Sequence, residues 1–169
     1  MTVKIERFDA AKKYNNIKKF DCDNLIVNKF VHNSLKAQIK AGTSVAWALV
    51  DTANQDSFVG FYTLMMSQVS QQLLANIWSQ SLPYSVPYVR LVMLGVDIKY
   101  KQNGYGKRLM KHALLETKKA ADMIGCRGIY LDSDPNAVSF YTSLGFAILE
   151  TPIDPKSPIP MFLFKESFF

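Results

Sequence analysis

The run "TVKIERF", residues 2–8, alternates apolar and polar positions and predicts a first strand. The polar "AAKKYNNIKKF" reads as a loop holding a short helix. In "NLIVNKFVHNSLKAQIKAG", Leu25, Phe30 (or Ile26), Val31, Leu35 and Ile39 fall close to helical spacing, and Gly42 ends that pattern. "SVAWALVD" and "SFVGFYTLMMSQV" are β-rich runs parted by the turn-forming "TANQD", which predicts a hairpin. Residues 68–87 read as a short helix and then a loop bounded by Pro83 and Pro87. "YVRLVMLGVDI" is almost continuously apolar, as a central strand buried on both faces would be. An amphipathic helix is predicted from Tyr105 to Ile124, with Leu109, Leu114 (or Ala113), Ala120 (or Thr117) and Ile124 on one face and Gly125 as its cap. "GIYLDS" is a further strand. "DPNAVSFYTSL" is a short helix with Asp134 as N-cap and Pro135 in its first turn. Gly145 ends it, and "FAILET" and "PMFLFKE" are the last strands. The order predicts an α/β fold, a mixed central sheet flanked by helices, as a single domain over 1–169.

Composition adds bounds. With 169 residues, 49% of them hydrophobic, the chain can bury the core of one domain. The net charge of +6 suits a polyanionic partner such as a nucleic acid or a phosphorylated cofactor, although many soluble proteins are this basic without one. Cys22 and Cys126 are not in a C-x-x-C pair, so zinc and redox motifs are not expected, and two buried free thiols are. No metal and no membrane contact are expected. The N-terminus lacks the apolar core of a signal peptide and no stretch approaches a membrane span, which predicts a soluble, cytoplasmic protein.

The chemistry concentrates at "KQNGYGKRLM", residues 101–110. A strand passes into a helix through Gly104 and Gly106. The first amides of a helix lack partners within it, and the dipole makes that end weakly positive. Glycine lets the backbone approach a phosphate closely, and Lys101, Lys107 and Arg108 add charge, so the stretch reads as a diphosphate cradle. A bland turn explains an isolated G-x-G equally well, and neither a P-loop nor a dinucleotide fingerprint is present.

A second constellation, "DSDPNAVSFYTSLGF", carries Asn136, Tyr141, Gly145 and Phe146. Together the two stretches resemble the GNAT superfamily of N-acetyltransferases. That family's loop reads [RQ]-x-x-G-x-[GA], and here Lys101 stands in the place of the usual Arg or Gln. A narrower resemblance is to the acetyltransferase toxins of toxin–antitoxin pairs, carried also by the early "FDCDNLIVNKFVHNSLKAQ" with its F-x-C segment. "VMLGVD" departs from their commoner pattern, with Met93 where a basic residue is usual and Arg90 three residues earlier.

The resemblance implies a GNAT acyl-CoA N-acyltransferase fold and acetyl-CoA as co-substrate, with no metal. It implies acetylation of the amino group of aminoacyl-tRNA. It also implies a homodimer and a ribbon-helix-helix antitoxin as partner. Lys101, Gln102, Asn103, Gly104, Tyr105, Gly106, Lys107 and Asn136 are then expected to bind the cofactor. Backbone groups of Leu94 and Val96 are expected to hold pantetheine at a break in the strand that Gly95 eases. Tyr141 is expected to protonate the departing sulfur, and Arg90 and Lys36 to contact substrate. Lys36, Lys40, Lys99, Lys111, Lys118 and Lys119 either form a track for tRNA phosphates or are solvated helix faces. No convincing general base stands beside the motifs, although Glu150 or Asp97 could supply one. That leans towards an aminoacyl ester, whose α-amine, about 7.7–8.0 before the ester lowers it, is substantially neutral at cellular pH. The alternatives are a GNAT enzyme acting on a small amine or a protein N-terminus, and a non-catalytic coenzyme A-binding fold. His32 and His112 read as surface or boundary residues, and Trp47 and Trp78 as packing, unless Trp78 lines a substrate groove.

Overall fold

The computed structural model describes residues 2–168. Its strands are hydrogen-bonded in the order β1-β2-β3-β4-β5-β7-β6. They are β1 (Val3–Arg7), β2 (Val45–Asp51), β3 (Ser57–Ser70), β4 (Ser85–Val96), β5 (Gly128–Ser133), β6 (Ala147–Ile148) and β7 (Ile159–Phe164). The helices are α1 (Leu25–Asn33), α2 (Leu35–Ala41), α3 (Gln71–Leu74), α4 (Tyr105–Ile124) and α5 (Val138–Ser143). The sheet is mixed: β1, β2 and β3 are antiparallel in sequence, β4 and β5 are parallel, and β7 runs antiparallel to both β5 and β6. The mixed sheet with flanking helices matches the sequence reading. The chain forms two compact units, one of residues up to Met65 with Val92–Ala113, the other of Met66–Leu91 with the residues from Leu114 onward.

The first unit is built on aromatic packing. Phe8, Tyr14, Phe20, Phe30, Phe58 and Phe61 are buried together, with ring centroids 5.1–6.4 Å apart. Each such ring contributes on the order of 2 kcal/mol by leaving water. Asn24 starts α1 by accepting from the amides of Ile26 and Val27. The single helix expected over 24–42 is two. Ser34 leaves the helical region (φ −126°), so α1 closes on its amide and α2 opens from its carbonyl. The buried face is Val27, Phe30, Val31 and Leu35, whereas Leu25 and Ile26 are 78% and 72% exposed. Trp47 stacks on Tyr62, whose hydroxyl meets His112 Nδ1 at 2.6 Å, so both are packing groups.

In the second unit β5 and β7 pair through six registers, from Gly128↔Phe164 to Ser133↔Ile159. Only glycine fits at 128, since a Cβ there would stand 2.1 Å from the Leu163 carbonyl oxygen. Trp78 stacks on Phe164 at 4.3 Å, with Arg127 over its ring. Pro87 lies inside β4 rather than bounding the loop, and its carbonyl accepts from Arg127 N. Helix α4 has the predicted bounds and ends at Gly125 (φ +83°). Ile124 is 70% exposed, and the buried face ends at Ala121.

Candidate active site

β4 was expected to be buried on both faces. Val92, Met93 and Leu94 are half-exposed, while Gly95 is buried. Met93 N donates to the Thr63 hydroxyl at 3.2 Å, a side-chain acceptor where a regular ladder supplies a carbonyl. Gly95 is needed for close packing. A Cβ there would stand 3.0 Å from Val27 Cγ1, 3.2 Å from Cys22 Sγ and 3.3 Å from Phe20 Cζ. On the neighbouring strand, a Cβ at Gly60 would meet the Gly95 carbonyl oxygen at 2.8 Å. Leu94 and Val96, expected from the sequence to hold pantetheine, thus flank a closely packed residue.

Beyond β4 the chain is tied to the F-x-C segment. Asp97 N donates to the Val59 carbonyl, and Ile98 N to that of Asp21. The buried Asp97 carboxylate accepts from Lys99 N at 2.9 Å and from Asp21 N at 3.3 Å. Both its oxygens serve the backbone, so it is a capping group rather than a free base. Lys101 Nζ donates to the Cys22 carbonyl at 3.2 Å, and Asn103 Nδ2 donates to the carbonyls of Tyr100 and Lys101. Gln102 and Gly104 both have positive φ, +64° and +74°. Around Gly104 no atom comes within 4 Å of a built Cβ, so its glycine serves the turn and leaves open space in front of the loop.

The first i→i−4 bond of α4 runs from Arg108 N to Gly104 O. The amides of Tyr105, Gly106 and Lys107 therefore precede the helical ladder, at the positive end of a 20-residue helix. Lys107 and Arg108 are exposed. An open, glycine-turned set of donors of this kind fits a diphosphate.

Tyr141 is held differently. It lies partly buried on α5, edge-on to Phe140 (5.1 Å) and Phe146 (5.7 Å). Burial alone pushes its phenol up to about 12. Its helix begins with a 3-10 turn, Pro135–Ala137, capped by the Asp134 carboxylate on Asn136 N. Asn136 is exposed. In the same unit Arg90 Nη2 pairs with Asp132 at 2.8 Å and its guanidinium lies over Tyr130. The Tyr130 hydroxyl donates to the other Asp132 oxygen. Burial, with that hydrogen bond, pushes the Tyr130 phenol up. Lys36 is exposed on α2. Glu150 is also exposed.

Sequence reasoning missed Gly60 and Thr63, whose roles come from a neighbouring strand. It missed Asn28, which accepts from Cys22 N and donates to Asp21. Among the described residues no group of three or more His, Cys, Asp or Glu could hold a metal ion. No helix there is long and apolar enough to cross a membrane. Both cysteines are buried free thiols, each pushed up by burial.

Comparison with known proteins bears on this geometry. The chain is similar to a tRNA-acetylating toxin of Mycobacterium tuberculosis, 32% identical over 105 residues, or 62% of each chain. The match thus spans less than two thirds of that relative's length. A crystal structure of a bacterial toxin superposes with TM-score 0.94 at 31% identity, covering 99% of this chain and 93% of the other. A structure of AtaTR bound with AcCoA gives TM-score 0.81 at 25% identity, covering 98% and 95%. Residues 26–146, which hold all of α1 but its first residue, the loop before α4 and Tyr141, match the family described as acetyltransferase (GNAT). The chain belongs to the GNAT acetyltransferase family.

Proposed function

We propose that the chain acts as one domain, an acetyl-CoA-dependent N-acetyltransferase of the toxin type that acetylates the amino group of aminoacyl-tRNA and so blocks translation. The observation that carries the acetyltransferase reading is the donor set ahead of α4, in a chain whose residues 26–146 match that family. The acceptor is taken from the tRNA-acetylating relative.

Bound acetyl-CoA supplies the acetyl group as a thioester. The amides of Tyr105, Gly106 and Lys107, with the turn of Gln102, Asn103 and Gly104, hold its diphosphate. Lys107 adds charge, Lys101 fixes the loop through Cys22, and Asn136 gives a further polar contact. Backbone groups of Leu94 and Val96 orient the pantetheine arm and polarise the carbonyl. The amine nitrogen bonds to the carbonyl carbon, the carbon–sulfur bond breaks, the nitrogen gives its proton to water and the sulfur takes one from Tyr141. A phenol at about 12 faces a thiol of ordinary pKa about 8.5, an uphill gap of about 5 kcal/mol. Burial that disfavours phenolate disfavours thiolate as well, which narrows the gap at the moment of transfer.

With Asp97 used as a cap and Glu150 exposed, a substrate amine that is already neutral suits this enzyme. The α-amine of an aminoacyl ester qualifies, since its ordinary value of about 7.7–8.0 is lowered by the ester, whereas a lysine near 10.4 does not. Arg90 and Lys36 are assigned to the tRNA side. A second copy of the chain and a ribbon-helix-helix antitoxin complete the reading, and the setting is the cytoplasm.

The test is incubation of purified protein with labelled acetyl-CoA and a mixture of charged tRNAs. Label should appear on the aminoacyl group. Transfer only to small amines or protein N-termini would replace this reading with the second GNAT activity, and binding of acetyl-CoA without transfer to any acceptor would remove catalysis.

A further inference from the structure

Strand β5 presents a carboxylate just past the point where its ladder with β4 stops. The two strands pair at Val89↔Ile129 and Arg90↔Tyr130. Among the described residues no further register follows, although β5 runs on to Ser133. Asp132 lies in that stretch and is the exposed residue of a strand otherwise buried or half-buried. Two side chains aim its carboxylate. Arg90 Nη2 donates to Oδ2 at 2.8 Å, and the Tyr130 hydroxyl donates to Oδ1 at 2.9 Å. Tyr130 is itself stacked on Tyr88, with ring centroids 4.9 Å apart, and the Arg90 guanidinium lies over it. Among the described residues Arg90 Nε is buried without a hydrogen-bond partner. Leaving that donor dry is unfavourable, and a surface ion pair contributes too little to offset it. The trio therefore fixes the direction of a charge more than it adds stability.

The two faces of β5 carry different groups. Ile129 pairs with Leu163, and Tyr130 with Phe162. Side chains alternate along a strand, so Asp132 shares the face of Tyr130, and Leu163 lies on the other. Gly145, whose amide closes the end of α5 on Thr142 O, packs towards Leu163. A Cβ built there would stand 3.5 Å from Leu163 Cδ1. The segment that carries Tyr141 is thus on one face of β5 and the Asp132 carboxylate on the opposite one. Acyl transfer calls for such a division. The nitrogen enters and the sulfur leaves on different sides of the carbonyl carbon, so the group that serves one cannot serve the other.

We propose that Asp132 is the residue that meets the acceptor amine during transfer, with Arg90 and Tyr130 positioning it. The identity of that amine rests on the proposed function. As the nitrogen bonds to the carbonyl carbon it becomes positive, before it gives its proton to water. A carboxylate held beside it stabilises that charge as it develops. Arg90 stays on the acceptor side but acts through Asp132, to which its Nη2 is committed. The charged and titratable groups in contact with Asp132 are Arg90 from β4 and Tyr130 from β5, with Tyr88 behind Tyr130.

The test is single-turnover acetyl transfer to a mixture of charged tRNAs at saturating protein, from about pH 5.5 to 8.5, the range in which such an amine titrates. A nearby anion holds an amine in its charged form. Asp132→Asn should therefore slow transfer about tenfold or more on the alkaline plateau and move the acid limb down by roughly half a unit. Arg90→Gln leaves the anion without its cation, so its limb should move up. Acetyl-CoA affinity should be unchanged in both. Tyr130→Phe removes one donor and keeps the anion, so it should slow transfer less than Asp132→Asn and leave the limb in place, which keeps the test open if Arg90→Gln does not fold. Transfer at the parent rate in Asp132→Asn would overturn the proposal. So would a slower rate with the limb unmoved, limbs that move the same way in the Asp132 and Arg90 variants, or equal losses in Asp132→Asn and Tyr130→Phe, each of which would reduce the trio to a tie between strands. Label that goes only to a small amine or a protein N-terminus would overturn the proposed function, and the same variants would then decide the role of Asp132 on that amine.

Discussion

Around the loop ahead of α4, every turn of the backbone is answered by a polar group. Asp97 caps it, Lys101 reaches the Cys22 carbonyl and Asn103 closes on two carbonyls. Around Tyr141 the partners are the rings of Phe140 and Phe146, and among the described residues the hydroxyl has no hydrogen-bond partner. A polar mesh sets where donors stand, so damage to it should appear in affinity for acetyl-CoA. An apolar seat sets the acidity of a phenol, so damage to Tyr141 should appear in turnover.

The sharpest break is Tyr141→Phe. Loss of a positioned acid typically costs 10²–10⁴-fold, and here it should fall on kcat, with acetyl-CoA affinity within about twofold of the parent. Steady-state acetyl transfer and calorimetry read the two separately. A change confined to KM would dissolve the distinction between the regions. The same variant has an alkaline signature. The folded phenol sits at about 12, above its unfolded value near 10. Stability from that difference is full below pH 10 and is lost as pH rises from 10 through about 12. The parent should therefore lose more stability over that window than the Phe variant, as denaturant titrations at pH 9 and 11 would report.

Glycine replacements come next, and they test the loop's supports. Gly60→Ala puts a methyl 2.8 Å from a backbone oxygen, which cannot swing away, so the loss should reach about 3 kcal/mol. Gly95→Ala meets side-chain atoms at 3.0–3.3 Å that can give by tenths of an ångström, for about 1–2 kcal/mol. Gly104→Ala meets nothing and carries only the strain of φ +74°, about 1 kcal/mol. Denaturant unfolding should rank them in that order. A Gly104 variant that proved the least stable would mean that the loop, not the β3–β4 approach, is the tight spot.

The same residues show what a sequence can disclose. Helix α4 was legible to both ends because a long apolar period, opened by a glycine turn and closed by Gly125, is local information. The Tyr141 helix was legible for the same reason, through Asp134 and Pro135. Gly60 and Thr63 were not, because their meaning lies in what the adjacent strand brings against them. The break at Ser34 was hidden because Val31, Leu35 and Ile39 keep helical spacing across it. Exposed Leu25, Ile26 and Ile124 misled because an apolar residue in an end turn can lie past the edge of the packed face. The loop residues were found, but the partner of Lys101 was not. A lysine beside a phosphate cradle reads as a phosphate ligand until the fold delivers a carbonyl 79 residues away.

Lys101→Met separates those roles. As a strut, Lys101 should cost about 1 kcal/mol when its ammonium is removed, or roughly fivefold in acetyl-CoA affinity, with kcat kept. The salt dependence of binding should stay as in the parent. A flattened salt dependence would place the charge on the diphosphate itself and shrink the polar mesh to Asp97 and Asn103.

The smallest effect concerns the far side of that mesh. The Asp21 carboxylate accepts from Asp23 N and from Asn28 Nδ2, each at 2.9 Å, and these bonds hold it below the usual carboxylate range. Because the folded value is depressed, whatever stability Asp21 contributes is complete above its unfolded value near 3.9 and fades as pH falls through the folded one. A carbon-detected titration of the Asp21 carboxyl should therefore give a midpoint below that of an unfolded control, and Asn28→Ala should move it partway back, the Asp23 bond remaining. Since Asn28 also accepts from Cys22 N, the same substitution should loosen the carbonyl that receives Lys101. A small loss of acetyl-CoA affinity should then accompany the shift. An ordinary midpoint for Asp21, or one that Asn28→Ala leaves in place, would mean that the Asp21 carboxylate adds nothing to the hold on the F-x-C segment, which would then rest on its rings and on the bonds to its backbone, and the two regions would differ less than their hydrogen bonds imply.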